Sequence, residues 1–496
     1  MATISTKNTV AAIVKEVSEG VLKKPTLGTQ FIAIQDGFSL DGSFETLTNN
    51  EIKSSLAAGK PIIGAESPSA SLDHYLRHSG VEGQEPSYGV LLESALGAKN
   101  VAAAEHVTVA GSSVSVIKVG SGLGALHPTG SAVLIKDATN GYRIRAVDSV
   151  ATDDLTMSFN VPVAPAAGVS LGKSVTYLPV SSGHPTLSVW QYLGNKGAIQ
   201  AMAGGRCVSA SFTADAGQLI NGAYSIEGVK YYFDPMEVVA GANKIDFDIG
   251  AGTVTATIPV DLYSSPSDLA SAVLTAIQAA AAGTYTFAYS DVTGKYTLTK
   301  SAGTLSVDWL TGTDSIGALL GFTADDTGAL SYTSDEAIDL AAPVAPAYDA
   351  ADPIAAKNHE VMLGTATEYG CIDASSVSFE IAAPKTDKLS ICSVSGKAGS
   401  IVSSREVTVN VTAPLDEYNA NYFKKFKDGD EVKFQYSFGV KSGGNWVAGK
   451  CGVLYLATAT ISSIAVSDAD GLAQVEMTLT GFANASGDGE AFVAFV

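Results

Sequence analysis

The sequence predicts a mainly β protein: two related β-sandwich or β-barrel domains with a flanking helix each, plus a small β-barrel insertion and a small α+β insertion. Three observations carry this. Short alternating strands rich in Val, Thr, Ser and Ala recur along the 496 residues, punctuated by many of the 50 glycines; this is strand-and-turn composition. One strand–turn–strand motif occurs twice, far apart in the chain. One stretch near the middle changes from a two-residue to a four-residue period, the mark of a helix.

The duplicated motif is the most informative. Residues 207–219 read CVSASFTADAGQL and residues 461–473 read ISSIAVSDADGLA. Each is an alternating strand that runs into an acidic turn holding Gly217 or Gly471 and continues into a second strand, 223–226 or 475–479. Upstream, 187–192 and 432–436 read as strands. Further back come helix candidates at 88–96 and 418–426, each preceded by a strand and a proline: Ile62 and Ile63 before Pro68, and Val407 to Val409 before Pro414. The same order of elements is thus met twice.

The domain boundaries follow. Residues 1–235 form the first domain, interrupted at about 107–180 by five short strands at roughly ten-residue spacing, the pattern of a small barrel. Residues 236–345 form the α+β insertion. There Ile245, Phe247 and Ile249 alternate, Ser265 caps a helix opened by Pro266, and Leu269, Val273 and Ile277 recur at four-residue spacing. Tyr285, Phe287 and Tyr289 should pair with Tyr296 and Leu298 through a turn at Thr293-Gly294. Residues 346–358, rich in Ala and Pro, are an extended linker, and 359–496 form the second domain.

Charge excludes whole classes of function. With 30 Lys+Arg against 50 Asp+Glu the net charge is -20, the wrong sign for a domain that grips phosphates. The excess is uneven: 16 basic against 19 acidic residues in 1–235, 4 against 15 in 236–358, and 10 against 16 in 359–496. The N-terminal twenty residues lack a secretory apolar core, and no window has the ~18 consecutive apolar residues of a membrane span. Cys207, Cys371, Cys392 and Cys451 are too far apart for a zinc site or a disulfide scaffold and read as packing residues.

Candidate chemistry is thin. His74 and His78 share a spacing of four without the Glu of a zincin motif, and read as surface or capping residues. Gly120 to Gly124 lacks the Lys-Ser/Thr and the helix of a phosphate loop. Asp468-Ala469-Asp470-Gly471 opens like a calcium loop, but Leu479 stands at the closing position, so a strand-to-strand turn is expected. No catalytic, cofactor-binding or metal-binding residue is assigned, and no enzyme is expected.

The ordered run from His184-Pro185-Thr186-Leu187-Ser188-Val189-Trp190, through Gly204-Gly205-Arg206-Cys207, to Asn221-Gly222-Ala223-Tyr224-Ser225-Ile226-Glu227-Gly228 resembles the major tail tube protein of long-tailed, non-contractile phages. Within that family it is most similar to the flagellum-seeking, Chi-like siphophages. Residues 68–96, with Pro86-Ser87-Tyr88-Gly89 at the start of the helix, fit the same family. The resemblance implies a tube domain made of a β-sandwich with a flanking helix, whose edge hairpin joins neighbours into a ring. Rings stack into a hollow conduit through which genomic DNA passes without specific binding. The candidate ring-hairpin residues are Trp190, Tyr192, Val208 and Phe212 in the first half and Phe434, Tyr436, Ile461 and Val466 in the second.

Most members have one tube domain and form hexamers. Two per chain implies homotrimer rings with pseudo-sixfold symmetry; if the second half is not a tube domain, the ring is a hexamer. The resemblance further implies a virion tail location after assembly in the host cytoplasm, with tape measure, tail terminator and tip proteins as partners, no membrane and no cofactor. A phage fibre or cell-surface adhesin of stacked β-domains is the alternative function.

Overall fold

The computed structural model describes residues 6–51, 60–194, 198–250, 252–416, 421–484 and 487–496. The chain is mainly β, with 48% of residues in strands and 8% helical. It divides into two compact units. One comprises Met1–Ala11, Trp190–Met202 and Tyr231–Ala345; the other comprises Ala12–Val189, Ala203–Lys230 and Pro346–Val496.

The first unit holds the α+β element. Lys244–Asp248 pairs with Thr253–Thr257 on one side and with Ser306–Asp308 on the other. Tyr285–Ser290 pairs with Lys295–Lys300 in the register Phe287 opposite Leu298 and Tyr289 opposite Tyr296, as the alternation predicts. The helix Pro266–Ala280 is capped by the Ser265 hydroxyl, which accepts the Asp268 N–H at 3.2 Å. Its buried stripe of Leu269, Val273 and Ile277 packs toward the buried aromatics of that hairpin, the usual solution for an amphipathic helix on a short sheet.

In the second unit the elements used below are, in chain order, β1 Ser39–Asp41, β2 Phe44–Leu47, β3 Ile62–Glu66, β4 Ser69–Tyr75, α1 Gly89–Leu96, β5 Ala198–Asp215 (which enters this unit at Ala203), β6 Asn221–Glu227, β7 Ser376–Ala382, β8 Lys385–Leu389, β9 Lys397–Val402, β10 Glu406–Pro414, α2 Asn421–Asp428, β11 Asn445–Ala469 and β12 Leu472–Gly481. Antiparallel pairings join them into an eight-stranded sheet in the order β1-β4-β6-β5-β7-β10-β12-β11. The first four strands come from one half of the chain and the last four from the other.

β11 is 25 residues long because it serves two sheets. Its first part pairs with Glu431–Ser442 and with Phe492–Phe495. A register shift between Ile461 and Ser463 then redirects it into the eight-stranded sheet, the use of a bulge at a sandwich corner. The second sheet continues through Ser174–Pro179 to Gly97–Ala102. α1 ends at Gly97, whose φ of 108° suits only glycine. α2 begins at Asn421; the earlier part of the predicted 418–426 helix lies outside the described residues.

Residues 106–171 form a six-stranded antiparallel barrel. Its strands run from His106–Val107 through Ser170–Leu171, Ala132–Lys136, Arg143–Ala151 and Asp154–Met157 to Val116–Lys118, and the bridge between Thr108 and Val119 closes the circle. Ile117, Val133, Val147, Leu155 and Met157 fill it. Although it interrupts the first half in sequence, it is packed on the second: Leu134, Ile144 and Ala146 lie against Val453, Tyr455 and Phe492. Buried Gln435 accepts from Ala146 N and Ser158 Oγ and donates to Ile144 O. Burying an amide this way is tolerable only because its polar atoms find partners.

Two readings need correcting. The strand that corresponds to β10 is Ser69–Tyr75, not the Ile62-Ile63 segment, which belongs to the arm β2–β3. The alternation in β4 is carried by Ala70, Leu72 and His74, weak apolar signals beside an Ile-Ile pair. His74 and His78 are buried rather than superficial, and His74 lies on this strand, not on a helix. His74 stacks on Tyr224 at 5.4 Å, and His78 lies parallel to Phe438 at 5.7 Å. Residues 346–358 are extended but tied down: Ile354 N donates to Leu76 O, and Ile354 O accepts from Ile220 N.

Candidate assembly surface

The eight-stranded sheet is two four-stranded modules joined edge to edge. At the junction β5 meets β7 over seven residue pairs, from Ser209 opposite Ala382 to Asp215 opposite Ser376. β5 is therefore hydrogen-bonded on both sides, to β6 and to β7. Its duplicate, the part of β11 after Ile461, pairs with β12 over the same span. Among the described residues no strand is paired on its other side there. At the opposite end, β1, the duplicate of β7, pairs among the described residues with β4 alone. The sheet thus ends in the two edges that its own middle shows to be complementary.

Side-chain burial records the difference. Phe212 on β5 is 3% exposed, opposite Phe379 of β7 and edge-on to Tyr224 at 6.1 Å. Val466, at the duplicated position on β11, is 54% exposed. An uncovered strand edge with exposed apolar residues invites pairing with another chain.

The predicted hairpin residues fall into two groups. Trp190 and Tyr192 are buried in the first unit, their rings stacked 6.0 Å apart. Phe212, Phe434, Tyr436 and Ile461 are buried in the second, with the Tyr436 hydroxyl 2.7 Å from His359 Nδ1. Val208 is half-buried and its carbonyl accepts the Ala383 N–H at 2.8 Å. Of the eight, Val466 alone presents most of its side chain to solvent. Six of these side chains thus serve the interior, and what is left open among the described residues is the backbone edge of β11. Residue-type reasoning passes over such an edge, because Ser462 to Ser467 are small and unremarkable in composition.

One face of the sheet is lined by Ser71, Ser209, Ser211, Thr213, Ser378, Thr408, Asn410, Thr478 and their neighbours. The opposite face carries the apolar Leu72, Tyr224, Phe379, Val409 and Met477 into the core. Residues 39–41, 69–75, 208–215, 221–227, 376–382, 406–414, 462–469 and 472–481 contain eight carboxylates and no Lys or Arg. The polar face holds Asp73, Asp215, Glu380, Glu406 and Glu476 and repels rather than binds polyanions. The turn joining β11 to β12 is closed by Asp468, whose carboxylate accepts the Gly471 N–H at 2.7 Å, so its acidic residues shape a hairpin.

Four buried histidines are neutral at pH 7. Burial holds His74 near a pKa of about 4 and His78 at about 3, and burial likewise lowers His127 and His359 to about 4. Burial also pushes the Cys207 and Cys451 thiols up to about 12, so neither is a nucleophile. No group of three or more His, Cys, Asp or Glu placed to hold a metal occurs among the described residues.

Among solved structures the chain is similar to one from the virion of a native gene transfer agent particle, with 15% identity over 24% of this chain and 89% of that one and a TM-score of 0.19. It is also similar to the SPP1 tail tube, solved by solid-state NMR and cryo-EM, with 15% identity over 29% of this chain and 80% of that one and a TM-score of 0.20. No protein-family description and no curated protein matches.

Proposed function

We propose that this chain is the structural subunit of a phage tail tube, polymerising as stacked rings into a hollow conduit for the genome. The observation that supports this reading best is the in-chain junction of β5 with β7, because it leaves the matching edges of β11 and β1 at the two ends of one sheet. Joining β11 of one copy to β1 of the next is a head-to-tail contact, and such contacts close into rings when the rotation allows. Closure also removes both end edges of this sheet.

Ring size follows from strand count. Strands lie about 4.8 Å apart and tilt by about 40° in closed barrels. Three copies bring 24 strands and a backbone diameter of roughly 48 Å, whereas six would give roughly 96 Å, far wider than one duplex requires. We therefore favour a trimer with pseudo-sixfold symmetry. The polar face becomes the lining: hydroxyls with interspersed carboxylates and no cation let DNA slide without being held. Tape measure, terminator and tip proteins are the partners this role calls for.

The test is electron microscopy of the purified chain and of virion tails, with ring copy number from native mass spectrometry. Threefold rings or tubes are expected. Monomers at every concentration, together with tails that lack this chain, would falsify the reading.

A further inference from the structure

Each module carries a two-stranded arm between its first and second strands: β2–β3 in the first and β8–β9 in the second. The second arm folds across the strand ends of the other module. Arg206, on β5, donates through Nε to Ser400 Oγ at 2.8 Å and through Nη2 to Ser400 O at 2.7 Å. Lys385 reaches Gly228 O, just past β6, at 3.2 Å. Glu66 N donates to Ser395 O, and Lys397 Nζ to Ser67 Oγ at 2.9 Å, just before β4. Ser395, Lys397 and Ser400 are buried as a result.

The first arm is held at its base by that same Glu66–Ser395 bond, but among the described residues its outer part has no such seat. Ile62 is 55% and Ile63 70% exposed, Phe44 and Leu47 are exposed as well, and no residue of β2 or β3 is buried. Yet the second module has the equivalent strand ends. Cys207 opposite Ile226 corresponds to Ile461 opposite Leu479, so Glu227 opposite Ser69 in the first module corresponds to Thr480 opposite Thr408 in the second. The places of Gly228 and Ser67, where the β8–β9 arm docks, are therefore taken by Gly481 and Glu406, with Phe482 and Arg405 next to them in the chain. Gly481, Phe482 and Arg405 border an open groove of about 290 Å³, flanked by Val402 and Glu490. Phe482 is 38% exposed there.

We propose that arm β2–β3 of one copy docks in this groove of the next copy in the same ring, reproducing between chains the contact that β8–β9 makes within one. The inference rests on the ring reading, since the edge pairing of β11 with β1 is what would bring the arm to the groove. It makes each junction two contacts, a strand pair and an arm. The apolar Ile62, Ile63 and Phe482 supply between chains what Arg206 and Ser400 supply within one.

The test uses the full chain with Cys371→Ser and Cys392→Ser, the two exposed thiols, and adds Ile62→Cys with Phe482→Cys. Treatment with a short bismaleimide should give a covalent species of ring size on a denaturing gel, absent from either single-cysteine control. Rings seen by microscopy without that cross-link would overturn the arm contact and leave the ring reading intact. A ladder running past the ring number would place the arm in an adjacent ring and overturn same-ring docking. No rings and no cross-link would sink both readings. Independently, Ile63→Asp should leave the melting of the unassembled chain unchanged and cut ring yield by about tenfold, the effect of burying one carboxylate in an apolar contact; unchanged yield would count against docking.

Discussion

The same strand occurs twice in this chain in two conditions. At β5 it is sealed between β6 and β7, and Phe212 is shut into the interior. At β11 it ends with one side open, and Val466 at the duplicated position faces solvent. Sequence similarity between the two strands is what makes the contrast instructive: the position is apolar in both, a partner strand covers it in one, and on the proposed assembly a strand of another chain covers it in the other. Burial thus separates residues that hold the fold from residues left open along a strand edge.

The comparison breaks first at the level of charge. Phe212→Lys should abolish folding, since an unpaired ammonium in that core costs well over about 4 kcal/mol. Val466→Lys should fold normally and fail to assemble, because lysine on a strand edge blocks pairing. Circular dichroism and sedimentation velocity distinguish the two; a well-folded Phe212→Lys chain would remove the distinction between sealed and open strands.

Acid tests the interior apart from the edge. The unfolded chain takes up protons on histidine below about pH 6.5, while His74, His78, His127 and His359 in the fold stay neutral down to about 4 or 3. Their contribution is therefore complete above about pH 6.5 and declines as the pH falls toward 4, at up to about 1.4 kcal/mol per histidine per pH unit. Urea unfolding of the unassembled chain at pH 7.5 and 5 should show the loss, and His78→Phe should lessen it. An unchanged midpoint would mean that these rings are not shielded.

Truncations give smaller effects. Phe212→Ala should lower stability by about 3–5 kcal/mol, read as a lowered urea midpoint, while Val466→Ala should stay within about 0.5 kcal/mol. The lining responds least in stability and most in transport. Ser211→Lys with Thr408→Lys should leave tubes intact, yet slow genome release from virions and make it sensitive to salt; release at the normal rate would argue against this face as the lining.

Much of this was legible from residue order. The α+β insertion was readable down to its hairpin register because its aromatics alternate strongly between two glycine-marked turns. The duplication was readable at β5 and β11. β4 was not, because Ala70, Leu72 and His74 make a faint stripe, and a histidine pair four apart suggests a helix until the strand is seen. The assembly edges were the hardest to read. Sequence marks side chains, and Trp190, Tyr192, Phe434 and Tyr436 drew notice as large aromatics when their task is internal packing. What distinguishes the end of β11 is a row of backbone groups, and every residue has those.

The β5–β7 junction carries a kinetic consequence. Within a chain the two modules are tethered, so their seam forms at an effective concentration fixed by the chain and not by expression level. In the proposed ring of three chains, six seams then need only two bimolecular encounters, because the third interchain seam closes within the open trimer. Dilution can limit only alternate seams, and the two modules are free to diverge, since each always meets the other and never its own copy.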